Sequence, residues 1–320
     1  ENDRCLKKVF LKRRKTAVSF CVLLGLLVSL FLTAPAYSAG SSPKDPAKFL
    51  DAFRRQSERY GWKDIRTDGI AWEYHRTTQK HHPLIFAQFG RNAGNCILFL
   101  GGVHGDELPT VYLMFKLAQY LQAHPDVVKN QCIVIAPLVN PDGFFAANPT
   151  RVNANGVDLN RNFPTRRWKP DAHRQWVSKG KKSRRYYPGH AAGSEQETHF
   201  QVALIKRFKP QKILSVHSPL NFFDYDGPSA DLDSFEKWME RICREANHPL
   251  KKFGYFPGSL GNYAGNERNI FTLTLELPTS DPKKGEAYFH RFQPAFLKFI
   301  NLPVTGKPPY TRLVKTHTVK

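Results

Sequence analysis

Residues 97–108 read Ile97-Leu98-Phe99-Leu100-Gly101-Gly102-Val103-His104-Gly105-Asp106-Glu107-Leu108. Four apolar residues running into two glycines read as a buried strand that ends there, exposes His104 and Glu107, and turns into a helix beginning near Glu107. His104 and Glu107 are three apart across a tight turn, so an imidazole nitrogen and a carboxylate oxygen can converge on one point. That suits two of the four tetrahedral positions around zinc. An isolated H-x-x-E is equally what a strand-end histidine gives when a glutamate follows in the first helical turn, where the macrodipole favours a carboxylate. The choice between them turns on the rest of the chain.

Working outward, strands at 96–101, 132–138, 213–216 and 271–275 alternate with helices at 109–124, 194–208, 232–246 and 286–300. This alternation predicts an α/β fold in a single domain, with a mixed, mostly parallel central sheet of about eight strands and helices on both faces. Upstream, Asp45-Pro46 opens a helix, with Asp at the cap and Pro at the first helical position. Residues 70–75 and 84–89 read as a hairpin or two edge strands, with His81 and His82 in a solvated polar turn.

The chain has 320 residues and a net charge of +21. Seven basic residues between Arg4 and Lys15, against Glu1 and Asp3, give the first 36 residues +5, so most of the charge belongs to residues 37–320. The basic clusters at 179–185 and 206–212 favour polyanions without naming one. Neither zinc-finger spacing nor an RNA-binding aromatic signature accompanies them, so nucleic acid is not an expected partner.

Residues 1–36 read as a signal peptide: a basic segment, an apolar run at 17–32, then Ala34-Pro35-Ala36 at cleavage spacing. Export to the periplasm or medium is expected, with no stable membrane insertion once the signal is removed. The remaining divisions are a linker and helix at 37–69, a catalytic domain at 70–300 and a tail at 301–320. Past the signal, Cys96, Cys132 and Cys243 leave an odd cysteine. Cys96 and Cys132 could face each other if their strands are neighbours, but two buried free thiols are the expectation.

Polar residues recur at strand ends: His104 and Glu107, Asn140-Pro141-Asp142-Gly143, His217 and Glu276. In open α/β sheets the site forms beyond the carboxyl ends of the parallel strands, so these groups can meet. His217 is then the third ligand, and two His with one Glu leave a fourth position open, as a catalytic zinc requires. Glu276 follows an apolar run, an unfavourable place for an unpartnered carboxylate. There it could take a proton from the attacking water and hand it to the leaving amine.

Residues 150–164 read Thr-Arg-Val-Asn-Ala-Asn-Gly-Val-Asp-Leu-Asn-Arg-Asn-Phe-Pro. With H-x-x-E, N-P-D-G, D-L-N-R-N-F, a distant His and a late Glu in that order, the chain resembles the zinc carboxypeptidase family over roughly residues 70–300. The resemblance implies one catalytic zinc on His104, Glu107 and His217, with Glu276 as general base. It further implies that Asn160 and Arg161 grip a substrate's terminal carboxylate, that Arg151 polarises the scissile carbonyl, and that Asp158 orients a zinc histidine. The family's mobile tyrosine would be Tyr255 or Tyr263.

Within that family, the stretches around Arg151, after His217 and at Gly258-Ser259-Leu260-Gly261-Asn262-Tyr263 look most like the bacterial murein peptide amidase subgroup. Its members hydrolyse the γ-D-glutamyl–diaminopimelate bond of peptidoglycan peptides. The expected partner is accordingly a peptidoglycan peptide, or another peptide with a free C-terminal carboxylate, bound by a monomer. Asp224 and Asp226 are candidates for reading the distal amino group of diaminopimelate, although D-x-D-G is more simply a turn. An exported carboxypeptidase trimming ordinary peptides, a deacylase of the broader clan and a non-catalytic basic wall-binding protein are the rival readings.

Overall fold

The computed structural model describes residues 46–91, 96–227, 232–251, 254 and 256–302. Eight strands form one sheet: β1 (Trp72–Thr77), β2 (Pro83–Phe89), β3 (Cys96–Leu100), β4 (Cys132–Ala136), β5 (Lys212–His217), β6 (Phe222–Gly227), β7 (Leu250–Lys251) and β8 (Phe271–Glu276), in the order β1-β2-β4-β3-β5-β8-β6-β7. Its centre, β4-β3-β5-β8, is parallel, while β1, β2 and β6 run antiparallel to their inner neighbours. The expected architecture is present. The stretches expected to be the signal (1–36), the linker before Pro46 and the tail from 303 lie outside the described residues.

Central strands such as Cys96–Leu100 are buried at every position because both faces are covered, which is why they read as continuous apolar runs. Ile97 and Phe99 point into one core with Phe53, Val111 and Phe296, while Leu98 and Leu100 point into a second with Phe200 and Leu204. The helices supplying the first core are α1 (Pro46–Glu58), α2 (Leu108–Ala123) and, later in the chain, α6 (Leu232–Ala246) and α7 (Gly285–Ile300). Between them come the single turn α3 (Pro141–Phe144), the short α4 (Arg174–Ser178) and α5 (Gln196–Phe208), which covers the opposite face.

Three local features depart from the sequence reading. First, Cys96 and Cys132 are paired in register on β3 and β4, with their Cα atoms 4.4 Å apart, and form a disulfide instead of two free thiols. Second, the D-x-D-G run is strand β6, antiparallel to β8, with Asp224 opposite Thr274. It does not turn because Phe223 and Tyr225 point into the first core, which fixes the chain as extended. Third, His82 is buried: its Nδ1 lies 2.6 Å from Asp142 Oδ1, and the Thr78 hydroxyl donates to the same oxygen at 2.5 Å. The hairpin is thereby pinned to the Asn140-Pro141-Asp142-Gly143 turn.

Lys212 opens β5 fully buried, and its Nζ donates to the carbonyls of Phe299, Ile300 and Leu302 at 2.7–2.9 Å. Burial pushes its ammonium down to about 7, and the three oxygens replace water around it.

The disulfide joins positions 36 apart in sequence, and chain-entropy reasoning puts its contribution at about 3–4 kcal/mol. Guanidinium denaturation of a Cys96→Ala/Cys132→Ala double variant should show a loss of that size. An unchanged midpoint would mean that the bond adds no stability.

Candidate active site

The parallel strands deliver their polar residues to one end of the sheet. Two glycines let the H-G-D-E and N-P-D-G turns meet, since a Cβ on Gly105 would come within 2.3 Å of the Gly143 carbonyl carbon. Glu107 caps α2 at its N-terminus, where the Thr110 hydroxyl donates to the Glu107 carbonyl and accepts from Gly102 N–H. His217 ends β5, and Glu276 ends β8 directly beside it in register.

His104, Glu107 and His217 are all buried and converge. Glu107 Oε1 lies 2.7 Å from His104 Nδ1, Glu107 Oε2 lies 3.0 Å from His217 Nδ1, and the two Nδ1 atoms are 3.1 Å apart. Donors bound to one zinc at about 2.0–2.1 Å in a tetrahedron stand about 3.4 Å from one another, so these separations need open by about 0.3–0.7 Å. The donor chemistry fits as well, being two imidazoles and one carboxylate with a fourth direction facing a cavity. Asp158, fully buried, lies 3.0 Å from His104 Nε2 and fixes that nitrogen as the donor, leaving the Nδ1 lone pair for a metal. Burial works to raise the Glu107 carboxyl, but the two histidines hold it well below the usual range. Asp158 is likewise held low against burial, by Arg151 and His104.

Arg151 reaches the same point. Its Nε and one terminal nitrogen donate to Asp158 Oδ2 at 3.1 and 3.0 Å, and the other donates to Glu107 Oε1 at 3.2 Å. Asn160 and Arg161 follow on a single 3-10 turn capped by Asp158. Asn160 Oδ1 accepts from Leu260 N–H at 2.8 Å, and Arg161 donates to the Asn160 carbonyl at 2.6 Å. The Arg161 guanidinium lies over Phe256, 4.7 Å from the ring centre, and makes no ion pair among the described residues. Desolvation pulls its pKa down, which leaves it in want of an anion.

These residues line a cavity of about 460 Å³, a size suited to a small peptide. Its floor is acidic. Asp224 is buried, and Asp226 on the same face of β6 accepts from the Thr274 hydroxyl at 2.6 Å. Gly261 packs flat over Asp226, where a Cβ would come within 2.4 Å of its carboxylate. Asp226 keeps some accessible surface in the cavity but lies deep among protein atoms. Desolvation, with the charge of Asp224, pushes its carboxyl to about 8. Glu276 is raised too, first by burial and then by Glu107, while His217 opposes the shift.

Every residue singled out in the sequence as ligand, base or substrate-gripping group is therefore at this cavity or directly behind it. The tyrosine expectation fares differently. Tyr263 is buried against Phe163 with Arg268 over its ring, away from the cavity, and Tyr255 lies outside the described residues. The tyrosine that does line the cavity is Tyr186, 5.7 Å from the Arg151 guanidinium carbon. It comes from residues 165–194, which form one wall. Tyr187 O accepts from Asp158 N–H at 2.8 Å, and Asn162 Nδ2 donates to the carbonyls of Pro188 and Ala191. A sequence signal for this wall is Asn162, the asparagine that ties it down through Pro188, Ala191 and Ser194.

Comparison with known proteins places this geometry among related enzymes. The zinc carboxypeptidase family model matches residues 77–284. The chain is 33% identical over 196 residues to murein peptide amidase A of Escherichia coli strain K12, an alignment covering 60% of this chain and 75% of that protein. It is 30% identical over 232 residues to metallocarboxypeptidase A of Trichophyton tonsurans, covering 63% and 51% respectively. The crystal structure of murein-tripeptide amidase from Escherichia coli O157 superposes with a TM-score of 0.52 at 27% identity, covering 70% of this chain and 91% of that one.

The floor has a titration consequence. The Asp226 carboxyl titrates near 8 in the folded protein, against a reference of 3.8, so the folded state holds the extra proton across that window. Stability then falls as pH rises through it. Asp226→Asn keeps an acceptor for Thr274 and removes the titration, so its melting-temperature advantage over the parent should be larger near pH 9 than near pH 5. An advantage independent of pH would contradict the assignment.

Proposed function

Because the chain belongs to the zinc carboxypeptidase family, a family of peptide-bond hydrolases, we propose that it is an exported member acting on peptidoglycan stem peptides at the γ-D-glutamyl–diaminopimelate bond. The observation that carries this reading is the pairing of Arg161 with an acidic floor. A leaving group seated beneath the histidines would bring a carboxylate to Arg161 and Asn160 and an ammonium to Asp224 and to Asp226, whose proton the incoming positive charge would displace. Diaminopimelate carries both groups. The likeness to murein peptide amidase A supports the same substrate class.

In this reading His104 Nδ1, Glu107 and His217 Nδ1 hold one zinc ion. Bound there, zinc supplies a Lewis acid for the scissile carbonyl and for water. Glu276, raised by its burial, accepts a proton from the attacking water and returns it to the departing amine. Asp158 keeps His104 in the tautomer that presents Nδ1, and Arg151 directs its guanidinium at the charge developing on the carbonyl oxygen. Arg161 and Asn160 fix the leaving group's carboxylate, so the bond is presented in one register.

Export is supported by the signal-like reading of residues 1–36 and by the Cys96–Cys132 disulfide, a bond that persists in oxidising compartments. The other cysteine among the described residues, Cys243, is raised by burial to about 11 and is a poor nucleophile. No described helix is long and apolar enough to cross a membrane. The acidic floor also suits the ammonium of a C-terminal lysine, which makes an exported carboxypeptidase the second reading.

The zinc-loaded protein should release diaminopimelate from L-Ala-γ-D-Glu-diaminopimelate, followed by mass spectrometry. Glu276→Gln should retain zinc and lose about 10²–10⁴ in rate. An intact tripeptide beside trimmed lysine-ended peptides would replace the substrate and keep the chemistry. For export, N-terminal sequencing of the protein from the periplasm or medium should begin at residue 37 or 39. A chain retained at full length in the cytoplasm would overturn that proposal.

A further inference from the structure

The wall at 165–194 carries nine lysines and arginines against Asp171 alone. It is a fixed part of the fold. Besides its bonds to Asp158 and Asn162, Trp176 Nε1 donates to Ser183 O at 2.8 Å and packs against Tyr187 with ring centres 4.9 Å apart. Two of its basic side chains, Lys179 and Arg185, line the cavity, whereas Lys181, Lys182 and Arg184 on the same run do not. The Arg185 side chain is 49% exposed, and it reaches Asp106 Oδ2 at 3.3 Å, within the turn that carries His104 and Glu107. It therefore stands at the mouth, beside the metal-binding turn, while Arg161 and the aspartates lie in the depth.

A peptide seated with its leaving group on Arg161 and the acidic floor sends its acyl portion outward past the histidines, toward Lys179 and Arg185. We propose that these two residues form a carboxylate-binding subsite on the acyl side of the scissile bond. They would select substrates whose residue before that bond carries a free carboxylate. The inference rests on the murein reading and deepens it. A glutamate joined through its side-chain carboxyl keeps its α-carboxylate free, one carbon chain away from the bond to be cut. The cavity then separates charge along its length, with cations at the mouth for the acyl residue and a cation and two aspartates at the bottom for the leaving residue, and the apolar Pro219, Leu220 and Phe222 also line it. Arg185 supplies a planar fork that can hold Asp106 with one nitrogen and a ligand carboxylate with others. Lys179 adds a point charge beside it.

The test compares the tripeptide L-Ala-γ-D-Glu-diaminopimelate with the same peptide amidated at the α-carboxyl of the D-Glu, a change of charge at nearly constant shape. The zinc-loaded wild type should favour the free acid by about tenfold in kcat/KM. Arg185→Ala and Lys179→Ala should each move that ratio toward one, and Lys182→Ala, outside the cavity, should leave the ratio as in wild type. Equal cleavage of acid and amide by the wild type, or a ratio indifferent to Arg185 and Lys179, overturns the subsite. A parallel pair of ordinary peptides, with Glu or Gln before a C-terminal lysine, separates the two proposals. If only these are cut and Glu is favoured in the same variant-dependent way, the murein reading fails and the subsite stands. If they are cut without preference, both fall. Calorimetric titration of the dipeptide L-Ala-D-Glu against its α-amide, read in the same three variants, requires no turnover. Equal binding of the two dipeptides by the wild type would again overturn the subsite.

Discussion

The constraint on which the rest depends is the burial of one carboxylate among nitrogens. Glu107 is 2% exposed and is met by His104 Nδ1, His217 Nδ1, an Arg151 nitrogen and the Ser218 N–H. An ionised carboxylate taken out of water is tolerated only when its oxygens are satisfied, and here the partners come from three segments: His104 in the same turn, Arg151, and the adjacent His217 and Ser218. Strands β3 and β5 must be neighbours for the histidines to meet. The Gly105 and Gly143 turns must touch, and the Arg151 segment must fold back over both. Much of the topology at this end of the sheet can be read as what Glu107 needs around it.

Asp158 extends the same logic by one layer. It holds His104 with one oxygen and Arg151 with the other, caps the turn bearing Asn160 and Arg161, and takes the wall's Tyr187 through its own backbone. One residue thus joins the metal-binding pair, the substrate-facing arginines and the basic wall. A cavity whose sides are tied to a single buried carboxylate keeps its charges in place without a ligand, which is what electrostatic preorganisation requires.

The sequence made the centre of this arrangement legible because its signals are strong and local. Apolar runs that stop at Gly101 or at His217 announce strand ends, and polar residues there have few other reasons to exist. What stayed hidden depends on partners that sequence cannot pair. Strand β6 alternates aromatic residues facing the core with Asp224 and Asp226 facing a cavity, so its second face mimics a turn. His82 looks solvated until Asp142, 60 positions later, closes on it. The disulfide depends on the register of β3 against β4, which neither strand encodes alone. The wall at 165–194 has no periodicity at all, because its order comes from side chains bonded to backbone carbonyls instead of from a buried stripe.

The ammonium of Lys212 carries a last implication, for where this fold can be cut or extended. Strand β5 holds His217 at one end and, at the other, gathers three carbonyls from the close of α7. Five residues of extended chain, about 17 Å, separate those ends. The chain from Phe299 to Leu302 is therefore tied to the sheet by the reach of one lysine. A tag inserted within the last turn of α7 would pull on the same strand that positions a metal-binding histidine.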